Sequence, residues 1–142
     1  MKHRVIGLAL TVSMLCALAV PVSAADSSAV QTVQALGIIV GDGNGNMNLS
    51  AGVTRAEFTK MLVAASSYKD SISSDGTGYS LFKDVKSNHW ASEYIRVAVE
   101  SGWVVGYTDG SFRPDQPVRL EEACSAMLRV LGYDASMLAG SF

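Results

Sequence analysis

Thr54-Arg55-Ala56-Glu57 puts a guanidinium in the first turn of a prospective helix. An exposed cation there opposes the macrodipole at a cost of about 0.3–1 kcal/mol. Departures from a local rule gather at functional sites, and a planar guanidinium beside a helix N-terminus offers an anion both bidentate geometry and backbone donors. The plainer alternative is a surface arginine paired with Glu57 or a neighbouring acid. The other reactive side chains are sparse. Asp42-x-Asn44-x-Asn46-x-Asn48 opens like a calcium loop, but Met47 stands where the sharp-turn glycine belongs and Val53 where a bidentate glutamate belongs, so it reads as a polar turn. Glu121 and Glu122 point about 100° apart on a helix and read as negative charge at its start rather than an acid–base pair. With His89 the one histidine beyond His3, no nucleophile, base and orienting group can be assembled. The sequence points to binding without catalysis and calls for neither cofactor nor metal.

The 142 residues are 49% hydrophobic and 17% charged, with a net charge of −2, which describes one small domain and lacks the basic excess that nucleic acid demands. A basic start at Lys2 and Arg4, an apolar run from Val5 to Val20 and the small-residue pattern Val22-Ser23-Ala24 read as a secretory signal peptide, residues 1–24. The run is short for a membrane span, and cleavage after Ala24 predicts an exported chain with no membrane span. Cys16 leaves with the signal. Cys124, then the remaining cysteine, excludes an internal disulfide framework and reads as a small buried residue on a helix.

Elements that position these groups emerge from an internal repeat. Displacing the sequence by 65 residues superposes Gly37 on Gly102, Gly41 on Gly106, Gly45 on Gly110, Met47 on Phe112, Val53 on Val118, Glu57 on Glu122 and Leu62 on Met127 without a gap. Two copies of a helix, a Gly-rich loop and a second helix follow, an all-α chain. The first helix spans roughly Ser27 to Leu36 in one copy and Ser87 to Ser101 in the other, where Trp90, Tyr94, Ile95 and Ala98 recur at helical spacing and Ser87 or Asn88 supplies the cap. Ile38-Ile39-Val40 and Trp103-Val104-Val105 are expected to anchor the loops in the core. Thr54 and Glu57 form a capping box, flanked by a staple of Val53 and Phe58. Phe58, Met61, Leu62 and Ala65 then make one buried stripe, and Ala123, Met127, Leu128 and Leu131 the other, with Met61 and Met127 as core fillers. Asp84 is expected to cap the turn before the Ser87–Ser101 helix, and Tyr107 and Asp109 lie on a loop able to line a groove.

Phe82-Lys83-Asp84-Val85, His89-Trp90-Ala91, Gly106-Tyr107-Thr108-Asp109-Gly110-Ser111-Phe112-Arg113-Pro114 and the Thr54-Arg55-Ala56-Glu57 motif together resemble the surface-layer homology (SLH) domain over nearly all of the expected exported chain. The resemblance implies helix-loop-helix prongs around a helical bundle, usually of three repeats, of which the third is missing here. It also implies anchoring to the bacterial cell wall by binding secondary cell-wall polysaccharide, often pyruvylated, in grooves between repeats. Matched by position, its recognition residues are Arg55, Trp90 and Asp84, with Tyr107 and Asp109 as further glycan-binding candidates. Trp90 can equally pack in the core, or pack one face and stack a sugar on the other.

The expected organisation is a signal peptide at 1–24, a shortened first repeat at 25–65, a Ser/Gly-rich linker at 66–80, a second repeat at 81–133 and a tail, or the start of a further segment, at 134–142. Departures from the family pattern matter. In the second copy Leu120 replaces the arginine and Arg119 the capping threonine, so that groove is expected to be altered. The alternative function is therefore a structural or protein-interaction module with decayed grooves, or the N-terminal part of a larger surface protein. Self-association or a further repeat would cover the apolar helix faces left open.

Overall fold

The computed structural model describes residues 27–42, 44–72, 79–133 and 137, so the expected signal peptide and most of the tail fall outside the described residues. The chain divides into two compact units, 1–32 and 33–142, and the second carries the core and the candidate site. Among the described residues four α-helices form: α1 Ser27–Ala35, α2 Arg55–Ala64, α3 Ser92–Glu100 and α4 Leu120–Val130, with a short 3-10 turn at Lys69–Ser71. Among the described residues there is no strand, and no helix is long and apolar enough to cross a membrane. The all-α expectation holds.

The repeat is visible in the backbone itself. Gly37 and Gly102 adopt φ of 71° and 73°, Gly45 and Gly110 of 82° and 80°, and Asn48 and Arg113 of 46° and 58°, all pairs related by the same displacement. Gly37 and Gly102 close the first helix of their copy with left-handed residues, donating their N–H groups to Gln34 and Val99. The two copies also meet through equivalent segments. Thr54 bridges Pro117 in antiparallel fashion, and the Val118 N–H donates to the Val53 carbonyl at 2.9 Å.

α2 starts where its sequence says. The Glu57 N–H donates to the Thr54 hydroxyl at 3.2 Å and the Thr54 N–H to the Glu57 carboxylate at 2.8 Å, the reciprocal capping box. Thr54→Ala is expected to cost about 1 kcal/mol in urea unfolding; an unchanged midpoint would show that the cap contributes nothing.

α2 packs against α3 and α4. One cluster joins Leu62, Val63, Val97, Ala98, Trp103 and Ala126; the other joins Ala56, Val85, Ala91, Ile95 and Phe112. Several expectations are corrected here. α3 begins at Ser92 rather than Ser87, because His89 Nδ1 accepts the Ala91 N–H and residues 87–91 fold as turns, so neither Ser87 nor Asn88 is the cap. Trp90 therefore lies outside the helix and is 56% exposed. The buried face of α2 is Arg55, Ala56, Thr59, Leu62 and Val63, rotated from the expected stripe, and Met61 is only partly buried. On α4 Ala126 is buried, whereas Met127, Leu131 and Cys124 are exposed. Trp103 reaches the core as expected, but Val105 and Val40 do not. Periodicity identified the apolar faces; coverage of a face depends on neighbours that periodicity does not specify.

Candidate functional site

Arg55 leaves the surface altogether, at 6% exposure. Its Nε donates to the Phe112 carbonyl at 2.8 Å, Nη2 to the Val105 carbonyl at 2.9 Å, and Nη1 pairs with Glu122 Oε1 at 2.8 Å. The guanidinium carbon sits 4.6 Å from the Phe112 ring centroid and 5.0 Å from that of Tyr107, so aromatic faces cover the plane whose edge carries the donors. The backbone donors expected to be open beside it are also occupied. The Arg55 N–H donates to Gln116 and the Ala56 N–H to Pro114, both on the second copy's loop. The expected anion receptor at this helix start is thus corrected: the second copy itself fills it. Arg55 pairs with Glu122, not with Glu57.

That loop is a continuous polar network. The Tyr107 hydroxyl donates to Glu122 at 3.3 Å, and the Arg113 guanidinium lies 3.9 Å from the Tyr107 ring. Arg113 donates through Nη2 to Asp109 at 3.3 Å, and Asp109 accepts the Ser111 N–H and hydroxyl at 2.9 and 2.6 Å. These hydrogen bonds, the Ser111 hydroxyl foremost and then its N–H, hold the Asp109 carboxyl down at about 2. For Glu122, burial pushes the carboxyl up, but the Arg119 N–H, Arg55 and Tyr107 outweigh it and the net direction is down. Asp84 accepts the N–H groups of Phe112 and Arg113 at 2.8 and 2.7 Å, so it clamps this loop instead of capping the turn before α3. It secures Arg113 in its positive-φ conformation. Arg55 lines, with Phe112 and Glu122, an inner cavity of about 190 Å³ between α2 and α4, while Asp84, Tyr107 and Asp109 tie down the loop against which it packs.

Trp90 stands apart from them, on the wall of an open cleft of about 470 Å³ formed with the first copy's loop and α2. Lys60, Glu57, Asp42, Asn46 and Asn48 line it together with Ile39. The Asp42 carboxylate organises the loop, accepting N–H groups of Asn44 and Asn46 at 2.9 Å and the Asn46 and Asn48 amides at 3.3 Å. Those bonds, the Asn46 N–H first, lower its pKa. Lys60 is partly buried, and desolvation lowers its pKa. Sequence reasoning passed over Lys60, since a lysine inside an amphipathic helix carries no signal of its own. The repeat held a clue, because Lys60 superposes on Ser125, which lines the inner cavity.

The fold and the two clefts described above define a class: a repeat module whose copies join through loop and helix to form grooves. The chain belongs to the S-layer homology domain family, which it matches over residues 19–59 and 81–124. It is 34% identical over 116 residues to the "Surface layer protein" of Brevibacillus choshinensis, covering 80% of this chain and 10% of that protein. Identity is 33% over 108 residues with the "Middle cell wall protein" of Brevibacillus brevis (76% and 10%), and 34% over 107 residues with the "Cell surface protein" of Thermoanaerobacter kivui (75% and 14%). The chain thus spans about a tenth of the length of the first two of these relatives. The printed names of these relatives are those of surface-layer, cell-wall and cell-surface proteins.

Proposed function

We propose that this chain anchors an exported protein at the bacterial cell surface by binding secondary cell-wall polysaccharide. One observation carries the reading: an exposed indole, Trp90, shares an open cleft with a lysine and a wall of amide and carboxylate groups. That combination suits a sugar, whose apolar face stacks on the ring while its hydroxyls meet Asn46, Asn48 and Glu57. Lys60 supplies the cation for an acidic substituent such as a pyruvate ketal, and its partial desolvation strengthens a charge-assisted bond to a carboxylate. Arg55, Asp84, Tyr107 and Asp109 serve as the frame that fixes the second copy, and with it Trp90, against the first. S-layer homology and the cell-surface names of the relatives support this reading.

Retention on isolated cell walls tests it. Trp90→Ala is expected to weaken retention at least about tenfold, close to 1.4 kcal/mol, with an unfolding midpoint within about 0.5 kcal/mol of the parent because the residue is exposed. Lys60→Ala is expected to weaken binding to pyruvylated walls and to leave binding to depyruvylated walls unchanged. Full retention by both variants would favour the second reading, an assembly module with decayed grooves, for which Leu120 at the arginine position speaks.

A further inference from the structure

The repeat correspondence sets the uncovered face of α4 beside a covered equivalent. Arg55, Thr59 and Leu62 of α2 correspond to Leu120, Cys124 and Met127 of α4. The α2 set is buried against the second copy, whereas Leu120 is 78% exposed and Cys124 and Met127 are exposed beside it. The receiving side shows the same asymmetry. α2 docks on a surface that includes Trp103, Phe112, Glu122 and Ser125, around the inner cavity. Their counterparts in the first copy are Ile38, Met47, Glu57 and Lys60, and all four line the open cleft. The described residues therefore hold one closed joint and two open halves equivalent to its two sides.

We propose that these halves mate between molecules: α4 of one copy docks into the Ile38–Lys60 half-groove of the next, repeating between chains the joint that α2 makes within one. The contact is head-to-tail, so each copy keeps one free half on either side and the assembly propagates into open chains or rings. The intermolecular joint lacks one element of the inner one. Where Arg55 pairs with Glu122, the equivalent positions are Leu120 and the neighbour's Glu57, an apolar side chain facing a carboxylate. The association is correspondingly weak and concentration-dependent. Thr59 and Ser125 both line the inner cavity, so Cys124 of one copy and Lys60 of the next are the pair that faces across the outer one.

The Ile38–Lys60 half-groove is the cleft that the proposed function gives to the glycan, so α4 and glycan compete for it; the test therefore uses the exported, processed protein without glycan, and its failure leaves the glycan reading standing. Sedimentation velocity over a concentration series is expected to show reversible association of the parent chain. Leu120→Arg restores the missing ion pair and is expected to tighten association at least about tenfold, the scale of a charge-assisted hydrogen bond. Adding Glu57→Gln to that variant cancels the gain. Weaker association of Leu120→Arg, the outcome for an arginine placed on an apolar interface with no acid opposite, overturns the proposal, as does a monomer at every concentration for both proteins. A short bismaleimide distinguishes the geometry. A Lys60→Cys chain that also carries Cys124→Ser is expected to cross-link to the parent chain, each alone remaining uncoupled. Coupling of the parent chain to itself through Cys124 would mean symmetric pairing of α4 and would likewise overturn the head-to-tail joint. Circular dichroism of each variant confirms retained helicity, so that loss of association is not read from an unfolded chain.

Discussion

Arg55→Ala is expected to lower the unfolding free energy by about 3–5 kcal/mol, the range for removing one partner of a buried ion pair. The truncation does more than erase a Coulomb term. It leaves Glu122 facing a cavity, and it strips the Phe112 and Val105 carbonyls of their charged donors. Glu122 retains some access to water, which places the result toward the lower end of the range. Arg55→Lys keeps the charge but not the planar fork, so it should fall between parent and alanine variant. Glu122→Gln in the Arg55→Ala background should recover part of the loss, a coupling read from a double-mutant cycle. Urea unfolding gives the answer. An Arg55→Ala cost below about 1 kcal/mol, the value for an exposed ion pair, would mean that the joint does not depend on this residue.

The acid limb of stability belongs to the same network. The folded-state carboxyls of Glu122 and Asp109 titrate below their ordinary values of 4.5 and 3.8. Their contribution is therefore complete above those values and is lost as pH falls through the folded ones, which for Asp109 means toward about 2. Unfolding midpoints should be insensitive to pH above about 5 and should fall steadily below it.

How much of this the sequence disclosed depends on how local the cause is. Thr54 and Glu57 satisfy each other three residues apart, so the start of α2 is legible from four letters. The positive-φ pairs Gly37 with Gly102 and Gly45 with Gly110 are legible because glycine adopts them without strain. Arg55 is the opposite case. Its partners lie 50 to 67 positions away, Val105 and Glu122 at the limits, so both readings open to the sequence, an anion receptor and a surface arginine paired with a nearby acid, kept it at the surface. Trp90 misled for another reason: its spacing from Tyr94 and Ala98 is helical, yet the His89 side chain takes the Ala91 N–H and delays the helix past it. Cys124 marks the limit of pattern reading. Its face of α4 is apolar as expected, but only the three-dimensional arrangement shows that nothing in the described residues buries it.

Phe112→Ala is expected to cost about 3–5 kcal/mol, the usual penalty for emptying a fully buried phenylalanine site. Phe112 is completely buried, its ring 5.3 Å from that of Phe82 and under the Arg55 guanidinium. A Cβ at Gly106 would collide with the Phe82 ring, so the loop backbone already runs as close to that ring as glycine allows, which limits the collapse that would otherwise refill the void. The repeat supplies an internal control. Met47 occupies the corresponding position in the first copy but is only partly buried, on the wall of the open cleft, and its truncation to alanine should cost no more than about 1–2 kcal/mol. The contrast between two equivalent positions separates residue type from coverage: what stabilises the second copy's loop is the helix docked over it. If Phe112→Ala and Met47→Ala cost the same in urea unfolding, docking of α2 is not what buries this loop. Phe112→Ala combined with Arg55→Ala should cost less than the sum of the two, because they remove opposite sides of one contact. Strict additivity would place the phenylalanine and the guanidinium in separate cooperative units, and the joint between the copies would not be the single structure described above.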